Sequence, residues 1–213
     1  MKSVVTLGSE GYPGGLLHLK SPPKQLTLVA AGAVVWPKKS IAVIGSRLMS
    51  DYGRNVVLDF VPRLVKQGLC IVSGMAEGVD AEAQQAALKA GGQTIGVLGF
   101  GIARLTSFSN LALCKRVAVS GAGCLVSPFE AFTTASKYTF LERNKIIAGL
   151  ADAILVIEAS RKSGCMSTVD AALELGKEAF AVPGNVFSYL SMGTNDLIKQ
   201  GAKPVTCVED IVV

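Results

Sequence analysis

From Ser40 onward, apolar runs of strand length alternate with amphipathic stretches of helix length, and no other feature of the chain limits its fold as much. The runs are IAVIG, LCIVSG, TIGVLG, CLVS, AILVIEA and EAFAVPG; between them lie Tyr52–Gln67, Val79–Ala90, Asn110–Val119, Thr139–Leu150 and Cys165–Leu175. Apolar runs without polar alternation suit strands covered on both faces, and helical crossovers join strands that run parallel. Right-handed crossovers then give an α/β fold with a doubly wound, mostly parallel sheet. Its ligand crevice lies beyond the carboxyl ends of the strands, so the residues that follow each strand are the candidates for function.

The rhythm occupies 37–213 as one domain, a length that one core supports. Residues 1–36 read as an extension packed on it: YPGG and SPPK are turns, and LTLVAAGAVVW is a short helix or an edge strand. The uncharged stretch Ala179–Asn195 is interrupted by Pro183, Gly184 and Gly193 and does not make a membrane span. Gly8, Gly11, Pro13, Gly14 and Gly15 stand where a secretory signal would need an apolar run, so the expected location is the cytoplasm. Five cysteines without a CxxC pair indicate neither a zinc site nor a disulfide framework. A net charge of +5 is compatible with an anionic partner and does not by itself select one.

Two strand ends draw attention. Gly45-Ser46-Arg47 is followed by a helix that opens near Ser50 and Asp51, which places free backbone N–H groups near Ser46 and Arg47 and favours an anion, phosphate above all. A tight turn with Arg47 solvated explains the tripeptide equally well. The fifth strand leads to Ser160-Arg161-Lys162-Ser163-Gly164-Cys165, a second turn of small residues beside two cations. After the second strand, Gly74 permits close backbone approach and Asp80 is placed to cap the next helix. In KYTFLERNKIIAGL, Phe140, Ile146, Ile147 and Leu150 put one helix face on the sheet, while Lys137, Arg143 and Lys145 flank Asn144. Cations near a helix N-terminus oppose its dipole, which points to a function over a solvated face. Gly193-Thr194-Asn195 opens a last helix, with Thr194 or Asn195 as its cap.

The order GSR, SG-x-A-x-GVD, RNKIIAGL, SGCMST, AVPG and GTN-x-LI-x-x-GA, from about Tyr12 to Val212, resembles that of the DNA-processing protein A (DprA/Smf) family. The resemblance implies an extended Rossmann-like fold, binding of single-stranded DNA, a homodimer, and loading of the RecA recombinase in natural transformation. It implies a DNA pocket built from Arg47, Arg143 and Asn144, with Ser163, Gly164 and Cys165 on the facing turn; Gly45, Ser46 and Gly74 join the expected nucleic-acid site from the strand-end turns. Lys137 and Lys145 are added on charge. The family carries His where Gln84 stands, Ser-Leu-Ile where Cys165, Met166 and Ser167 stand, and a Tyr-Pro segment where LTSFSN keeps only Asn110. The chain reads as the Rossmann core alone, without the winged helix or the leading helical domain of many members.

A related branch, the cytokinin-activating phosphoribohydrolases, carries PGG-x-GT-x-x-E at the turn occupied here by Ser163–Ala171. Thr168 is retained, but Ser163, Ser167 and Ala171 replace the proline, the last glycine and the glutamate. With His18 as the lone histidine, no catalytic constellation, metal site or cofactor motif is found, and the chain is expected to be a binder and not an enzyme. Cys165 at a helix start invites a lowered thiol pKa, yet it has no partner base. The alternative is a nucleotide-binding sensor or a nucleotide-processing protein of the phosphoribohydrolase superfamily. Aromatics make up only 6% of the chain and many fall at apolar helix or strand positions, so phosphate contacts should dominate DNA affinity. Contact with about three to five phosphates predicts a log–log salt slope of about −2 to −3.5 for single-stranded DNA. A slope near zero in a salt titration contradicts it.

Overall fold

Ile41 and Val43 point to one side of their strand and Ala42 and Ile44 to the other, and all four are buried. This two-sided burial runs through the sheet of the computed structural model, which describes residues 1–213. The strands are β1 (Lys2–Thr6), β2 (Gln25–Ala30), β3 (Ser40–Ile44), β4 (Cys70–Ser73), β5 (Thr94–Val97), β6 (Gly123–Ser127), β7 (Ala153–Val156), β8 (Glu178–Ala181) and β9 (Lys203–Pro204). The helices are α1 (Asp51–Lys66), α2 (Val79–Lys89), α3 (Leu111–Val119), α4 (Lys137–Leu150), α5 (Met166–Glu174) and α6 (Met192–Lys199).

All nine strands form one sheet in the order β1-β2-β6-β5-β4-β3-β7-β8-β9. From β6 to β9 every pairing is parallel, with Ile41 opposite both Ile71 and Ala153. The fold is therefore the doubly wound α/β sheet that the sequence rhythm dictates. Ile41, Val43 and Leu155 pack with Val57, Phe60, Leu64 and Ala83 of α1 and α2, and a smaller cluster under α3 gathers Leu98, Leu113 and Leu125. On the opposite face Ala42, Ile44, Val72 and Val156 meet Ile146, Ile147, Val169 and Leu197 of α4, α5 and α6. The chain builds β3 to β6 in one direction and then returns to place β7 on the other side of β3. That reversal opens a crevice between the carboxyl ends of β3 and β7.

Residues 1–36 supply two strands to the same sheet. Gln25–Ala30 pairs antiparallel with β6 and is covered on its other edge by β1, so the LTLVA run is an interior strand. Its connection rests on α4 through two glycines: a Cβ on Gly15 would lie 2.2 Å from the Gly149 carbonyl oxygen. No helix is long and apolar enough to cross a membrane.

The end of α4 is held by one side chain. The half-buried Lys177 Nζ donates to the carbonyls of Ala148 (2.8 Å), Gly149 (3.0 Å) and Ala151 (2.5 Å). These carbonyls have no partners within the helix, and a cation there also complements the dipole. Burial pulls the ammonium pKa down, with the charge of Asp152 opposing. Lys177→Met keeps the apolar stem and strands these acceptors, at a cost of about 2 kcal/mol. Thermal unfolding should show a Tm lower by about 4–8 °C; an unchanged Tm removes the lysine from this role.

Candidate functional site

The turn after β3 is assembled from backbone approaches that larger residues would prevent. Ser46 N donates to Glu158 O at 2.7 Å, and Val79 N, opening α2, donates to Ser46 O at 3.1 Å. A Cβ on Gly45 would lie 2.8 Å from Glu158 O, and one on Gly78, at φ +76°, would lie 2.3 Å from Ser46 O. The glycines of GSR and GVD thus let the ends of β3 and β7 and the start of α2 meet. Glu158 is buried and accepts from the N–H (2.9 Å) and hydroxyl (2.5 Å) of Ser50, the N-cap of α1. Gly53 faces that carboxylate, where a Cβ would collide with it.

Around this turn lies a cleft of about 590 Å³. Gly45, Ser46, Arg47, Lys137, Arg143, Asn144, Ser163, Gly164 and Cys165 all line it. Gly74 lines a smaller adjoining slot of about 140 Å³ that shares Arg47, Phe140 and Arg143 with the cleft. Lys145 faces away and pairs with Glu142 at 2.6 Å, because one residue past Asn144 turns about 100° around the helix. Of the cations beside the second turn, Arg161 is held by Asp196 at 2.7 Å, Lys162 is exposed, and neither lines the cleft.

The two arginines differ in kind. Arg47 is exposed, with Cζ 5.5 Å from the centroid of the Phe140 ring. Arg143 is only 6% exposed, with Cζ 5.8 Å from that ring. Its Nη1 donates to Gly74 O and to Val97 O (3.1 Å), and its Nε to Asn144 Oδ1 (3.0 Å). Asn144 Nδ2 in turn donates to Gly164 O (3.2 Å) and Ser167 Oγ (2.8 Å). This adjacent pair on α4 therefore ties together the ends of β4 and β5 and the turn after β7. Burial pulls the Arg143 pKa down; the charge of Asp80 opposes this and that of Arg47 reinforces it.

Gly74 sits between opposite charges. Its carbonyl accepts from Arg143, and its N–H donates to the buried Asp80 Oδ2 at 3.0 Å. Asp80 thus anchors Gly74, and the residue before α2 is Gly78, which has no side chain to cap it. Burial raises the Asp80 pKa, and the Arg143 charge and backbone donors at Gly74 and Gly45 work against that rise.

Several local expectations change. The Ser46 amide is taken by Glu158, whereas the amides of Arg47 and Gly164, both lining the cleft, have no partner within the chain. The Cys165 thiol, 3.1 Å from Ser163 Oγ, is pushed up to about 11 by burial, opposite to the lowering expected of a helix start. Thr194 donates to Ser191 O, and Asn195 clamps Gly184 through both its N–H and its carbonyl, so neither caps α6 with its side chain. Phe140 lines the cleft, with Gly99 against its edge, and does not join the sheet-facing core. Tyr189, 64% exposed, lines the cleft as well, so its aromatic surface exceeds what composition suggested. Asn110 donates to Met75 O at 2.8 Å and anchors the loop that replaces the Tyr-Pro segment. Gln84 lies outside the cleft; its Nε2 donates to Ile95 O, and its Oε1 is buried without a partner. No group of three or more His, Cys, Asp or Glu side chains is placed to hold a metal ion.

The family described as DNA recombination-mediator protein A matches residues 3–213. The chain is 34% identical over 209 residues to DNA processing protein DprA of Bacillus subtilis, covering 98% of this chain and 70% of that protein. It is 38% identical over 209 residues to protein Smf of Escherichia coli, covering 98% and 55%. Among solved structures, DNA processing protein A of Streptococcus pneumoniae aligns with TM-score 0.87 at 33% identity, over 98% of this chain and 72% of that one. DNA processing protein A of Helicobacter pylori, whose structure addresses a single-stranded DNA binding mode, also aligns at 0.87, with 29% identity over 98% and 93%. A molybdenum cofactor binding protein of Rippkaea orientalis aligns at 0.53 with 17% identity, over 84% and 94%, and shares the fold alone.

Gly74→Ala tests the bracing directly, because the new Cβ would lie 2.3 Å from Arg143 Nη1 and 2.8 Å from Asp80 Oδ2. Neither buried group has room to yield, and the expected cost is about 1–3 kcal/mol. Gly32→Ala, with nothing within 4 Å of its Cβ, serves as the control. Equal melting temperatures for the two variants would contradict the crowding.

Proposed function

We propose that this chain, which belongs to the DNA recombination-mediator protein A family, captures single-stranded DNA in the cleft between the carboxyl ends of β3 and β7. The observation that carries the reading is the exposed Arg47 guanidinium over the Phe140 ring, beside the unpartnered amides of Arg47 and Gly164. Guanidinium, ammonium and free amide together suit a phosphodiester. Lys137, exposed at the first position of α4, adds a second cation to the same cleft. Phe140 and Tyr189 offer aromatic surface to bases, which a duplex keeps stacked inside itself.

In this reading Arg47, Lys137 and the two turns touch the strand, while Arg143 and Asn144 hold those turns in place. Arg143 has three hydrogen bonds to protein oxygens and lies almost wholly out of water. It contributes positive potential and geometry. The chain acts by binding: the Cys165 thiol is held protonated at neutral pH by burial, and the Asp80 carboxylate is engaged by Gly74. A cytoplasmic location, a second copy of the chain and a RecA-class recombinase as partner belong to the same reading, the last two resting on the family alone.

Arg47→Ala removes one phosphate contact. Filter binding of labelled oligo-dT should show affinity lower by about 10-fold or more and a salt slope shallower by about 0.7. Duplex of equal length should bind more weakly than the single strand. Tight binding of mononucleotides or cyclic dinucleotides in calorimetry, without retention of oligo-dT, would favour the nucleotide-sensor alternative instead.

A further inference from the structure

The connection between β6 and α4, together with the first turn of α4, carries exposed aromatic side chains that the cleft does not account for. Phe132 is 75% exposed and Tyr138 is 69% exposed, with Lys137, which lines the cleft, next to Tyr138. Arg104, from the 3-10 turn after β5, lies against this connection, its Nε donating to Phe132 O at 3.2 Å. The two loops are held in register, since Gly101 N donates to Thr133 O and Ala103 N to Ala131 O, both at 2.9 Å. Close approach is needed there: a Cβ on Gly101 would lie 1.9 Å from Glu130 O. Phe132 is thus presented on a braced loop with a guanidinium beside it. Arg104 has no acidic partner.

Large aromatics this exposed have no packing role in the monomer, and an interleaved cation–aromatic sequence is what a single strand requires: charge for phosphates and flat faces for unstacked bases. At the cleft end of this ridge, Tyr138 follows Lys137, a lining residue, directly in the chain. The slot that joins the cleft at Arg47 and Phe140 reaches Phe100 and Phe108, whose ring centroids lie 4.9 Å apart on either side of the turn bearing Arg104. We propose that a bound strand leaves the cleft along this ridge, with Arg104 on a phosphate and Phe132 and Tyr138 under successive bases. This extension rests on the cleft reading above. It makes affinity depend on strand length beyond the nucleotides that fill the cleft.

The test compares binding of a short oligo-dT of about 5 nucleotides with one of about 20 by fluorescence anisotropy, for wild type, Phe132→Ala, Arg104→Ala and Arg104→Lys. Phe132→Ala should weaken the long oligomer at least about fivefold, the smallest effect of losing one base stack, while leaving the short one and the salt slope unchanged. Arg104→Ala should reduce the slope for the long oligomer by about 0.7, and Arg104→Lys should restore it. Thermal melts identify any variant whose loop has come apart; Arg104→Gln then replaces Arg104→Ala, removing the charge but keeping a polar side chain of similar reach, and Phe132→Leu replaces Phe132→Ala, removing the flat face but keeping apolar bulk. Wild-type affinity and slope for the long oligomer in both alanine variants would overturn the proposal, and so would equal losses on both lengths. If wild-type protein retains neither oligomer, the cleft reading falls, and this one with it.

Discussion

A guanidinium taken out of water has to be satisfied by protein, and the site is built around that demand at Arg143. Burying a lone cation costs several kcal/mol. Arg143 offsets this with the Gly74 and Val97 carbonyls and the Asn144 side chain, while the negative charge of Asp80, bound to the Gly74 N–H, acts from close by. Each acceptor belongs to a different segment, so satisfying the charge fixes the relative positions of the ends of β4 and β5 and of α4. Asn144 carries the constraint on to Gly164 and Ser167. The cleft is shaped by one buried charge, and Arg47 is left exposed beside it.

The same economy of space explains the glycines. At the switch point between β3 and β7, Gly45 and Gly78 let backbone approach backbone, and Gly193 does so for α6, where a Cβ would lie 2.6 Å from Ser160 O. The motifs that define the family are thus largely packing devices that bring loop ends into one place. Few of their members are free to touch a ligand. Arg47, Lys137 and the amides of Arg47 and Gly164 are the exposed or unpartnered groups that remain.

The sheet was legible in the sequence because its signal is periodic: two-sided apolar runs such as Ile41–Ile44 are buried wherever they occur in a parallel sheet. The extension is less legible. Gln25–Ala30 has no crossover helix to mark it, and only tertiary pairing with β6 makes it an interior strand. At the site, residue types at strand ends pointed to six members of one cleft, Gly45 to Arg47 and Ser163 to Cys165, because topology brings those ends together, while local charge and the family resemblance pointed to Lys137, Arg143 and Asn144 on α4. Three things lay beyond sequence reading. Helical phase separates Lys145 from its neighbour Asn144, burial turns Arg143 from a free cation into a brace, and an apolar position, Phe140, lines the cleft instead of joining the core. The acid ending the buried strand AILVIEA was the available sign of Glu158, whose carboxylate receives the start of α1.

Arg143→Lys separates charge from geometry, and its affinity for single-stranded DNA tests the account most directly. Lysine preserves the positive charge but has no planar fork to engage Gly74, Val97 and Asn144 together. The bracing account predicts that the variant, still folded by thermal melt, loses most of its affinity while its salt slope stays close to that of wild type. Near-wild-type affinity would contradict it, because the charge alone would then suffice.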